Sequence, residues 1–219
     1  MSEDARTAAA GPEAEAKALI DVYFELEEPT ERDVLFEQIV AIDLPIVTEF
    51  LRTMMEHDED EYVRAAAAAE LARRGLAEGV AALEADLEEP EELYFFEHAM
   101  QVLAELRGPA FYDTALRIWR DSERDADLRR EAMVGMEGAD PTRAMADFTQ
   151  FVNDVKDITS LPDDQIEVAI MAFVRQEHVA AIPALKGLKA RVTATDMDPE
   201  ERAELEAFVQ EGIDLLEGR

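Results

Sequence analysis

The chain has 219 residues, 48% of them hydrophobic, and carries 52 acids against 21 bases, a formal charge of −31. That length and apolar content predict one or two domains with a buried core. The lack of cysteine excludes disulfides and thiol chemistry, no uncharged apolar run of about 18 residues reads as a membrane helix, and the acid surplus argues against nucleic acid, whose phosphates need clustered cations.

In chain order, residues 1–11 are rich in Ala, Glu and Ser and predict a disordered tail. They lack the basic and apolar regions of a secretory signal, so the cytoplasm is the expected location. A first helix covers 12–26, with Leu19, Val22, Tyr23 and Leu26 on one stripe. Pro29 follows, and Thr30 is a candidate cap for a helix carrying Val34, Leu35, Ile39 and Ile42. Pro45 opens a third helix with Val47, Phe50, Leu51 and Met54 inward. The acidic run from His57 to Glu61 then reads as a turn.

The two helices over 30–57 make one pair, and four more pairs follow. The first is 60–74 with 77–88, and its five consecutive alanines, Ala65 to Ala69, favour helix and close approach. The second is 91–107 with 109–121, jointed at Gly108-Pro109, and the third is 125–138 with 141–156, jointed at Asp140-Pro141. A fourth pair spans 162–176 and 179–192. A final helix, 199–217, opens on Asp198-Pro199-Glu200-Glu201 and has no partner after it.

These units recur about every 33 residues, which is the signature of a solenoid. Val63-Arg64 with the alanines, Leu71, Gly75, Val80 and Leu83 resembles the short bacterial, bilin-lyase-type HEAT repeat. His178-Val179-Ala180-Ala181-Ile182-Pro183-Ala184-Leu185 resembles its second helix, and Leu128-Arg129, Ala132, Met136 and Phe148 match a further unit. The resemblance covers roughly residues 30–192. It implies an all-α, right-handed solenoid of about five HEAT-like pairs with a terminal capping helix, in one domain over 12–219. It also implies that the second helices line a concave face that binds a partner.

Chemistry is thinly represented. The three histidines, His57, His98 and His178, have no second His or Cys at ligand spacing, and no phosphate loop, G-x-S-x-G or H-E-x-x-H motif occurs. No enzyme activity, cofactor or metal is therefore expected. Six aromatic residues fall between 94 and 119. On the second helix of that pair, Tyr112, Ala115, Leu116 and Trp119 form a core stripe, and Phe111, Ala115 and Ile118 form another. The surplus marks a candidate protein-binding site at Tyr94, Phe95, His98, Phe111, Ile118 and Trp119, rimmed by Glu91, Glu92, Glu97 and Asp113.

The expectation is a non-catalytic adaptor or scaffold whose partner is a protein with a basic surface. An acidic inhibitor, immunity protein or DNA mimic is the alternative. A GC-rich genome, a high-salt cytoplasm or solubility alone would also account for the acidity.

Overall fold

A computed structural model describes residues 11–88, 90, 93–156, 158 and 163–218. The predicted tail therefore lies almost wholly outside the described residues. Those residues form twelve α-helices and no strand, so the all-α expectation holds. None of these helices is long and apolar enough to cross a membrane. Where the sequence reads as one domain, the packing divides into two compact units, residues 1–99 and 100–219.

The first unit holds α1 (Pro12–Glu25), α2 (Pro29–Val40), α3 (Pro45–His57), α4 (Glu61–Arg73), α5 (Ala77–Glu88) and the start of α6 (Leu93–Arg107). Proline at the first position opens α1, α2 and α3, where its missing N–H costs nothing. Thr30 is not the cap of α2. Glu28 holds that place in extended backbone, and Thr30 lies inside the helix. Asp60 does cap α4, accepting from the Tyr62 amide at 2.9 Å. Gly75 ends that helix at φ +77°, the left-handed region that glycine enters without penalty.

Tyr23 anchors the core of α1 to α3, with the Phe50 ring edge-on at 5.2 Å and Phe36 at 6.3 Å. The Arg32 guanidinium lies 4.7 Å over the Tyr23 ring, donates to its hydroxyl at 3.1 Å and pairs with Asp58 at 3.0 Å. Burial pushes the Tyr23 phenol above its usual range, while Arg32 pulls the other way. Val22 and Val34, expected inward, are exposed; Leu35 is buried as expected, and Ala16, Ile20 and Phe36 are buried with it.

The α4–α5 contact is made of small residues. Ala65, Ala67, Ala68, Ala69 and Ala72 are all buried. A methyl group on Gly79 would stand 2.5 Å from the Ala72 amide nitrogen and 2.6 Å from the Ala68 carbonyl, so the two backbones approach as closely as glycine permits.

The second unit holds the rest of α6, then α7 (Tyr112–Arg120), α8 (Ala126–Ala139), α9 (Pro141–Asp154), α10 (Asp163–Arg175), α11 (Ile182–Ala194) and α12 (Pro199–Leu216). Gly108 takes φ +53° after α6, as expected of the joint. Pro109, however, sits in a 3-10 turn rather than the first turn of α7. Asp125, Asp140 and Asp198 cap α8, α9 and α12 through their carboxylates. Here α7 packs on α8, α8 on α9, α9 on α10 and α11 on α12, and contacts that skip one helix join α8 to α10, α9 to α11 and α10 to α12. Within this unit alternate helices therefore form two layers. Met133, Met136, Phe148, Phe173, Ile170, Leu188, Val209 and Ile213 fill the space between them.

Arginine closes many helix ends. Arg74 donates to the Val40 and Ile42 carbonyls at 2.6 and 3.3 Å, where α2 finishes. Arg129 donates to the Trp119 carbonyl at 3.0 Å in the last turn of α7. Arg191 reaches the Val152 carbonyl of α9. Arg202 takes the Thr195 and Met197 carbonyls beyond α11 at 2.9 and 3.1 Å. The final carbonyls of a helix lack intrahelical donors and sit at its negative end, so a cationic fork satisfies both needs. Seventeen of the 21 bases are arginine.

Candidate protein-binding site

The expected site separates into an exposed part and a buried part. In the second unit, Phe111 is 2%, Ile118 0% and Trp119 6% exposed. The second apolar stripe of α7 is thus core, and these three side chains offer a partner no surface. The reason lies in α7's setting: α8 covers one side of it, and the Phe148 and Phe151 rings of α9 meet the Trp119 indole edge-on at 5.8 and 5.4 Å. Asp113 is exposed and pairs with Arg143 at 2.7 Å, whose guanidinium lies 4.0 Å over the Tyr112 ring. Tyr112 donates to Asp147 at 2.6 Å. Burial, with that carboxylate, drives its phenol well above the normal range.

In the first unit, the opening of α6 keeps the expected residues together at the surface. Tyr94 is 50% exposed, and Phe95, Glu97 and His98 are half-buried. Glu91 and Glu92 lie outside the described residues. Tyr94 and His98 stand four residues apart, so they share one helix face. The His98 Nδ1 lies 2.9 Å from the Tyr94 carbonyl, which can only accept, so Nδ1 carries the proton.

The residue missed from sequence is Tyr62, on the first turn of α4 and 47% exposed. Its ring meets Tyr94 edge-on at 6.2 Å and His98 at 5.6 Å. Glu61 joins the same corner by accepting from the Tyr94 amide at 2.8 Å. A signal for Tyr62 does exist: it precedes Tyr94 by 32 residues, close to the spacing expected between successive helix pairs, and each is the second residue of its helix.

Three rings at a surface, held edge to face, form a preordered apolar patch with polar edges. Such groups are favoured at protein contacts, because they bury area while freezing few torsions. Glu61 and Glu97 border it, and a guanidinium or ammonium can lie on a tyrosine face while meeting a carboxylate. The acidic turn from His57 to Glu61 is structural: Asp58 takes Arg32 and the Asp60 amide, and Asp60 takes Tyr62. Among the described residues, no three His, Asp or Glu side chains are placed to hold a metal ion. Compared with protein-family models, curated proteins and solved structures, the chain matches none.

Proposed function

We propose that the chain is a non-catalytic protein-binding adaptor, built as a HEAT-like solenoid, that docks a basic protein segment on the Tyr62–Tyr94–His98 patch. The solenoid reading is supported by the two alternating layers of α8 to α12 and by the tyrosines that recur at the repeat period. The observation that carries the function is the patch itself: the Tyr94 and His98 rings both packed on Tyr62, the two tyrosines about half exposed, beside Glu61 and Glu97 on a chain of charge −31. Both tyrosines sit on the first helices of their pairs. The docking surface therefore belongs to the first-helix side, not to the second-helix side that the family resemblance implies.

The test compares proteins retained from a native lysate by the wild-type chain, by Tyr62→Ala/Tyr94→Ala, and by Val179→Ala, which trims an exposed apolar residue elsewhere. The expected outcome is a set of retained proteins with basic surfaces that the double variant loses and Val179→Ala keeps. Identical retention by all three chains would remove the patch as the docking site. Since the tyrosine tips are exposed, the double variant should keep its helical spectrum and melt as one folded protein.

A further inference from the structure

The second unit contains a buried amide donor with no partner among the described residues. Gln165, on the first turns of α10, is fully buried. The Trp119 indole N–H can only donate, and the Gln165 Oε1 accepts it at 3.2 Å. That contact decides which way the amide points, leaving Nε2 as the remaining donor. Nε2 is buried and has no hydrogen-bond partner among the described residues. Gln165 also lines a cleft of about 270 Å³, together with Trp119, Phe151 and Arg129. The two rings supply apolar walls. Arg129, tied by its Nε to the Trp119 carbonyl, is held beside the indole.

The acids nearby do not answer this donor. Asp147, on the rim, already takes the Tyr112 hydroxyl and Arg120. Asp154 accepts from Gln150. No acceptor for this donor lies among the described residues, and the cleft sets the Trp119 and Phe151 rings beside it, among polar side chains at the rim. Aromatic surface next to a few placed polar groups is a common form of small-molecule site.

We propose that this cleft binds a flat apolar ligand of one or two rings carrying a carbonyl or carboxylate oxygen, which accepts from Gln165 Nε2 while the ring lies against Trp119 and Phe151. A carboxylate engages Arg129 as well, whereas a neutral carbonyl does not need it.

Trp119 is the only tryptophan in the chain, so its emission reports on this cleft alone. The full chain is titrated with benzamide and, separately, with benzoate, with calorimetry as a second readout. Fragments of this size bind in the millimolar range. Saturable change in emission is expected for at least one of the two. Gln165→Glu keeps the acceptor for the indole but removes the donor once ionised, and Gln165→Met removes both. Each folded variant should bind roughly tenfold more weakly, the effect of one lost hydrogen bond. Arg129→Gln should weaken benzoate and leave benzamide unchanged if the carboxylate form is the better ligand. Should both Gln165 variants melt too low to test, Phe151→Ala serves, because removing one wall must weaken both probes. Absence of any saturable response into the tens of millimolar overturns the proposal, as does undiminished affinity in a folded Gln165 or Phe151 variant.

Discussion

Between α4 and α5 the helices meet through alanine and glycine, whereas around α7, α8 and α9 they meet through rings and methionine. In the first region there is no room for a ring, since even a methyl group on Gly79 would strike backbone. The aromatic residue of that segment, Tyr62, stands at the surface with Tyr94 and His98. In the second region Tyr112, Trp119, Phe148, Met133 and Met136 are all buried, and a cleft remains beside the indole. Small contact residues bring helices together and leave the rings outside, where they can recognise something. Large ones draw the rings in and leave imperfectly filled space.

The sharpest way to break this contrast is to place charge in each region. Ile118→Asp should cost about 4 kcal/mol or prevent folding, since it removes a buried side chain and strands a carboxylate. Tyr94→Asp should change urea stability by under about 0.5 kcal/mol while abolishing partner retention. Equal destabilisation by the two substitutions would erase the distinction between buried and exposed rings.

Adding one methyl group tests the packing itself. Gly79→Ala should destabilise by about 1–3 kcal/mol, because the atoms it meets are main chain. Gly135→Ala should be close to neutral: its nearest neighbour is the Met100 sulfur at 3.0 Å, on a flexible side chain, and alanine favours helix. The two melting curves decide it, and a similar loss at both glycines would show that the two contacts are equally tight.

Alkaline unfolding follows the buried phenols. Tyr23 and Tyr112 hold their protons more tightly folded than unfolded, through burial first and, for Tyr112, through Asp147. Below about pH 10 both states are protonated and the contribution is intact. Above it the unfolded chain ionises first, and stability falls by up to about 1.4 kcal/mol per pH unit for each phenol. Urea midpoints measured across this range should fall less steeply for Tyr112→Phe than for the wild-type chain.

The smallest effect is that of salt. Self-repulsion at −31 is screened over a Debye length of about 10 Å at 0.1 M. Melting temperature should rise modestly from low to moderate NaCl. A flat profile would show that the acids stand far enough apart, or are paired well enough, not to oppose folding.

The helix boundaries were largely legible, because prolines and capping aspartates act over one turn and need no tertiary context. Asp140-Pro141 and Asp198-Pro199 start their helices as expected. Thr30 failed as a cap because Pro29 had already opened α2. Which apolar residue faces inward was harder. The stripe Leu19–Val22–Tyr23 overlaps the stripe Ala16–Ile20–Tyr23 at Tyr23, and only the position of the neighbouring helices selects between them. The candidate site shows the same division. Composition located the aromatic surplus, but an inward and an outward ring have the same spelling, so Phe111 and Ile118 could not be told from Tyr94. Tyr62 escaped notice because a lone tyrosine beside an alanine run gives no local signal. Its significance arises only when the fold sets its ring against Tyr94 and His98 on α6.

The arginines that seat on helix-end carbonyls make this chain recognisable in a way its surface is not. Acidic residues on solvated faces can exchange, move or drop out with little structural penalty, so their pattern is expected to drift quickly in any lineage. Arg74, Arg129 and Arg191 serve carbonyls that every helix must present, whatever its sequence, and Arg202 serves those of the turn leaving α11. Lysine cannot supply the same planar fork. A distant relation of this molecule would therefore be traced more readily by four arginines in register with its helix exits than by overall likeness of residues.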